Sequence, residues 1–133
     1  EHGVPVALDG VRLPGHELRF HKRGSVDGTG KADVWPTGRE VDVVHGVLYR
    51  MSRPDLLALD RYESRGRGYE RFRERFRLRE REVAAWIYRA QEPFIEAGLR
   101  PTAAYLDHLV EGALAHGLPQ AVVRALREVE VTS

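Results

Sequence analysis

The chain reads as α+β: a small antiparallel β-barrel or strongly curled sheet with flanking helices. Three observations predict this. Strand-like segments outnumber helical ones and crowd into the first two thirds of the 133 residues. Residues 69–88 alternate with a period of two about a charged turn, as a hairpin does. Helical spacing of apolar residues is confined to a stretch after Ser52 and to the tail after Thr102, so the helices are expected to lie against the sheet.

Taken in order, residues 4–8 and 13–21 read as two short strands around Asp9-Gly10 and Pro14-Gly15, the second alternating Leu18 and Phe20 with Arg19 and His21. Residues 24–38, with Gly24, Gly28, Gly30, Pro36 and Gly38, read as a loop able to cover a site. Residues 41–49 are β-branched and predict a mostly buried strand. Ser52 then caps a helix, with Asp55 at the capping-box position and Pro54 in the first turn, where its missing N–H does no harm. Glu63 ends that helix, because Gly66 and Gly68 break it.

Along residues 69–78, Phe72, Glu74, Phe76 and Leu78 share one face, and Arg71, Arg73, Arg75 and Arg77 the other. Residues 83–88 form the return strand after the turn at Arg79 to Arg81. Thr102 begins an amphipathic helix with the stripe Leu106, Leu109, Val110 and Ala113, stopped by Gly117. Pro119 opens a last helix that turns Val122, Val123 and Leu126 inward.

The whole of 1–133 is one domain's worth of chain, with 42% hydrophobic and 31% charged residues, as in folded proteins. A formal charge of +1 gives no general attraction to nucleic acid or membrane. The absence of cysteine excludes disulfides, thiol catalysis and Cys-ligated zinc, and fits a cytoplasmic protein. No apolar run approaches 18 residues and no signal peptide opens the chain, so a soluble intracellular protein is expected. The start at Glu1-His-Gly, without an initiator methionine, suggests that something upstream has been removed.

Glu63 is the candidate catalytic residue. At 100° per residue it lies angularly between Leu56 and Leu59, so a carboxylate points where the pattern calls for a hydrocarbon. Such a group costs stability unless paired or protonated, and burial would raise its pKa into the range of a proton carrier. The plainer alternative is a surface ion pair with Arg61, Arg65 or Arg67, worth about 0–1 kcal/mol.

Other constellations point nowhere in particular. The six arginines from Arg71 to Arg81 suggest a phosphate-binding face, but Glu70, Glu74, Glu80 and Glu82 dilute them and no aromatic alternates with them on their own face for base stacking, so a solvated, ion-paired strand face is expected. Residues 24–31 miss the phosphate-loop pattern at Ser25 and Ala32. The six histidines lack zinc spacing, and Ser25 is in no nucleophile elbow. No cofactor, metal, nucleic-acid or membrane partner is expected.

The blocks Gly46-Val-Leu-Tyr-Arg, Leu59-Asp-Arg-Tyr-Glu63, Gly68-Tyr69 and the tail from Tyr105 to Pro119 agree in order and spacing with a known family, as do His21-Lys-Arg-Gly and Gly28-Thr-Gly-Lys-Ala32 upstream. From about Val6 to about Leu126 the chain resembles the γ-glutamylcyclotransferases. The resemblance implies an α+β fold with a compact β-barrel, and a cofactor-free lyase or acyltransferase activity that closes a γ-glutamyl amine or amino acid into 5-oxoproline. It implies Glu63 as general acid/base and Tyr69 and Tyr105 as substrate-binding residues; from spacing alone the two tyrosines read as boundary residues. Its members often dimerise, so a homodimer is compatible with the chain. Two departures stand out. Ser64 occupies the place of the glycine that usually follows the motif, and the family's N-terminal Tyr-Gly-Ser-Asn loop has no counterpart, as if the domain were truncated. A non-catalytic member of the fold, binding a small molecule or another chain, is the alternative.

Overall fold

The computed structural model describes residues 6–62 and 68–132. Within them the strands are β1 (Val6–Pro14), β2 (His16–Arg23), β3 (Gly30–Pro36), β4 (Val43–Arg50), β5 (Tyr69–Leu78) and β6 (Arg81–Ala90). The helices are α1 (Arg53–Tyr62), α2 (Ala103–Ala115) and α3 (Gln120–Arg127), with a short 3-10 turn at Glu92–Phe94. Four strands form a curled antiparallel half-barrel in the order β4-β1-β5-β6, and β2 and β3 form a separate ribbon.

Sheet and helices have separate apolar cores. Val11, Leu13, Phe76 and Leu78 are buried on the sheet, joined by Leu48, Val83, Ala85, Ile87 and, from the ribbon, Val34. The alternation of the hairpin is as expected, with Phe76 and Leu78 inward and Arg75 in solvent, but at the start of β5 Phe72 is exposed while Arg71 is nearly buried against Asp60 and Trp86. In the tail, Leu106, Val110 and Ala113 of α2 meet Val123 and Leu126 of α3, with Phe20 of β2 packed against them. The caps predicted from sequence hold: Ser52 Oγ accepts the Asp55 N–H at 3.2 Å, and Thr102 Oγ1 the Tyr105 N–H at 3.1 Å. Gly117 leaves α2 at φ 64°, in the left-handed region that lets a helix stop. No helix among the described residues is long and apolar enough to cross a membrane.

Three segments differ from the sequence reading. β1 runs straight through Asp9-Gly10, because pairing with β4 on one side and β5 on the other holds it extended, and the extra residue is absorbed as a register shift between Ala7 and Asp9. The turn falls at the other expected place, Pro14-Gly15, with Gly15 at φ 77°. The glycine-rich segment is not all loop, since residues 30–36 are β3, paired to β2 from Arg23↔Gly30 to His16↔Pro36. Finally, β4 is an edge strand and only half-buried; Val41, just before it, is exposed. Its β-branched residues were a guide to strand, not to depth.

Candidate functional site

Ala32 of β3 gives both of its backbone groups to tyrosines. The Tyr69 hydroxyl donates to its carbonyl oxygen at 2.8 Å, and its N–H donates to Tyr105 Oη at 3.0 Å. The two candidate binding residues, 36 positions apart in sequence, thus meet at one point. Each is delivered by a start signal: Tyr69 opens β5 immediately after Gly68, whose N–H donates to Gln91 Oε1 at 3.0 Å, and Tyr105 follows the Thr102 cap. The Tyr105 ring stands edge-on to Phe20, with centroids 6.5 Å apart.

A lysine lies over each tyrosine. Lys22 Nζ is 5.0 Å from the Tyr69 ring centroid, and Lys31 Nζ is 4.6 Å from that of Tyr105. Lys22 is only 6% exposed. The two face each other across the ribbon in direct register. Gly68 leaves room for Lys22, because a Cβ there would come within 3.2 Å of Nζ. Lys31 also reaches Asp27 Oδ2 at 3.4 Å. Asp27 titrates below its ordinary range, chiefly because it accepts the Thr29 backbone N–H and hydroxyl, with Lys31 adding to the effect.

Beneath this layer Asp33, 2% exposed, joins the two sheets. Its Oδ1 accepts the Ala90 N–H at 2.8 Å and its Oδ2 lies 2.6 Å from His21 Nε2. His21 in turn meets the Trp35 ring edge-on.

A second anchor holds α1. Asp60 Oδ1 accepts the Tyr88 hydroxyl at 2.5 Å and lies 3.0 Å from Arg71 Nε. This fixes the helix three residues before the candidate acid. Glu63 itself lies outside the described residues, as do Ser64, which follows it in the motif, and Gly66, expected from the sequence to break the helix. What is described is the stripe leading to it. Leu56 and Leu59 line a cleft of about 620 Å³ bounded by the two edge strands, with Val47 and Leu48 of β4 on one side and Trp86 and Tyr88 of β6 on the other.

Pattern reasoning missed Lys22, Lys31, Asp33 and Asp60. It treats a charged residue in a strand or helix as solvent-facing, and the available signal was that these residues lie in or beside the blocks that carry the family resemblance. It also missed an aromatic on the arginine face. Trp86 pairs with Arg73 across the hairpin and lies 4.1 Å and 5.2 Å from the Arg71 and Arg73 guanidinium carbons.

A strongly curled antiparallel half-barrel with flanking helices is the fold of a solved γ-glutamyl cyclotransferase. The solved structure titled "Gamma-glutamyl cyclotransferase" superposes with a TM-score of 0.86 at 21% identity, covering 97% of this chain and 77% of that one. The crystal structure of an uncharacterized protein from Homo sapiens matches with a TM-score of 0.85 at 22% identity and the same coverage. At these identities the likeness is one of fold. The chain belongs to the AIG2-like family, whose model matches residues 43–126 and so takes in the motif at Glu63, Tyr69 and Tyr105. Among curated proteins no sequence matches it.

Proposed function

We propose that the protein is a cofactor-free cyclotransferase that closes a γ-glutamyl amine or amino acid to 5-oxoproline and releases the free amine in the cytoplasm. Family and fold support the class. The observation that carries the reading is the α1 stripe: Leu56 and Leu59 face a cleft, and the spacing of the sequence extends their line to Glu63.

The substrate supplies its own nucleophile. Its α-amine, mostly protonated at neutral pH, first loses that proton to solvent or base. The neutral nitrogen then attacks the γ-carbonyl carbon, forming the new C–N bond of the five-membered ring. Glu63 takes the proton released from the attacking nitrogen and returns it to the departing amine as the old amide bond breaks. Atoms and charge balance without a cofactor. Holding the glutamyl chain curled brings amine and carbonyl together, and proximity of this kind is worth up to about 7–11 kcal/mol. Tyr69 and Tyr105, whose hydroxyls meet at the Ala32 backbone, are on this reading the substrate-binding residues.

The test is release of 5-oxoproline from γ-glutamyl amines. Glu63→Gln is expected to lower kcat by about 100-fold or more, while Arg75→Gln, at a solvent-exposed pair with Glu82, retains wild-type turnover. Equal rates in the two variants would remove Glu63 from the chemistry and favour a binding-only member of the fold.

A further inference from the structure

Two edges of the half-barrel face one opening. β4 and β6 end the strand order, so among the described strands each has a neighbour on one side only. Residues 47–51 and residues 84–88 line the same cleft of about 620 Å³, together with Val11 of β1, Phe76 of β5 and the apolar stripe of α1. Outer strands of soluble proteins are commonly shielded by charged side chains or proline. These two are not: residues 43–49 and 83–88 contain no Lys, Arg, Asp, Glu or Pro. Tyr49 and Trp86, one on each edge, stand 44% and 43% exposed.

We propose that the opening receives an isolated, acidic, extended segment of a partner polypeptide, about five residues long, which inserts as a strand between β4 and β6. Five residues of extended chain span about 16 Å, and five residues line the cleft from each edge. Successive strands of the sheet are antiparallel, so β4 and β6 run in opposite senses. An inserted strand is therefore antiparallel to one edge and parallel to the other, and main-chain hydrogen bonds to both supply its affinity. A second copy of this chain fits less well, because its own outer strands carry a neighbour on one side and can pair with only one edge at a time. The segment completes the wall of the half-barrel and leaves the interior beneath it, so the inference goes beyond the cyclotransferase reading and does not rest on it.

Side chains specify the partner. Alternate residues of a strand point to opposite faces. Inward positions meet Val11, Phe76, Leu48 and Ile87 and call for branched hydrocarbon. At the rim the balance of charge is one-sided: Arg50 and Arg53 line the cleft, and no Asp or Glu does. Both arginines are exposed, and neither has an ion pair among the described residues. On the β6 side Arg73, also exposed, lies over Trp86 at 5.2 Å. Glu or Asp at the outward positions matches this rim, and complementary charge fixes both register and choice of partner.

A blocked eight-residue peptide of alternating valine and glutamate, titrated calorimetrically into the intact chain and followed by amide hydrogen exchange, tests the insertion. Exchange is expected to slow in both β4 and β6. Affinity is expected to fall by about tenfold or more when lysine replaces the glutamates, when every second peptide amide is N-methylated, or when the chain carries Arg50→Glu with Arg53→Glu. That double variant, altered only at exposed side chains, should in turn prefer the lysine peptide. Protection of one edge alone, undiminished binding of the N-methylated peptide, or equal binding of a peptide of glutamate alone overturns the proposal. So does a dimer of the free chain that by itself slows exchange in β4 and β6, since a second copy is then the occupant. Release of 5-oxoproline enters none of these readouts, so the insertion and the enzyme reading stand or fall separately.

Discussion

The half-barrel and the β2–β3 ribbon are held by different forces. In the half-barrel, Val11, Leu13, Phe76 and Leu78 are pressed together by burial of hydrocarbon, an attraction with little directional demand. In the ribbon the buried groups are His16, Lys22 and Asp33, each held by geometry. Loss of one member of such a network strands its partners, whereas loss of a methyl group leaves a void that neighbours partly fill. The first kind of interior tolerates change and supplies stability; the second tolerates little and keeps polar groups aimed. The candidate site lies against the second.

The sharpest way to break this contrast is Asp33→Ala. It orphans the Ala90 N–H and removes the partner of His21, and is expected to cost about 4 kcal/mol in urea denaturation. A loss below about 1 kcal/mol would mean that the ribbon is not fixed by its polar centre. Next in size is Leu13→Ala, 2% exposed, expected to cost about 3 kcal/mol. The contrast requires the folded Leu13 variant to keep wild-type 5-oxoproline binding, and a tenfold loss would show the two interiors to be coupled.

The smallest effect concerns pH. Burial, and secondarily the Arg12 guanidinium opposite on β1, hold His45 below its ordinary value of 6.5. As pH falls through that value the unfolded chain takes up a proton that the folded chain refuses, so stability declines, levelling off only below the folded value. His45→Gln should flatten this part of the stability profile between about pH 7 and 5. An unchanged slope would locate the acid sensitivity elsewhere.

Elements announced by periodicity or by a cap were legible in the sequence. The alternation of residues 69–78, the Ser52 and Thr102 caps and the Gly117 stop needed nothing beyond local rules. β3 was not legible, because Lys31-Ala-Asp-Val-Trp carries a charge where a strand pattern expects a hydrocarbon, and the charge is what holds it. The depth of β4 was also hidden, since composition does not say whether a strand lies at a sheet's edge. Tyr69 and Tyr105 became candidates through resemblance, and their shared anchor on Ala32 is a property of three dimensions alone. Glu63 could be reasoned to from the Leu56 and Leu59 stripe, whereas Lys22 and Asp33 could not, because no local rule predicts a buried charge.

The hold on Ala32 has one more consequence. β3 has β2 along one side only, and a strand left open in this way invites another chain to dock and extend the sheet, the first step toward aggregation. At Ala32 both hydrogen-bonding groups are already taken by phenol oxygens. The two tyrosines that meet at Ala32 thereby also blunt the margin of the ribbon and guard it there against pairing with its own copies.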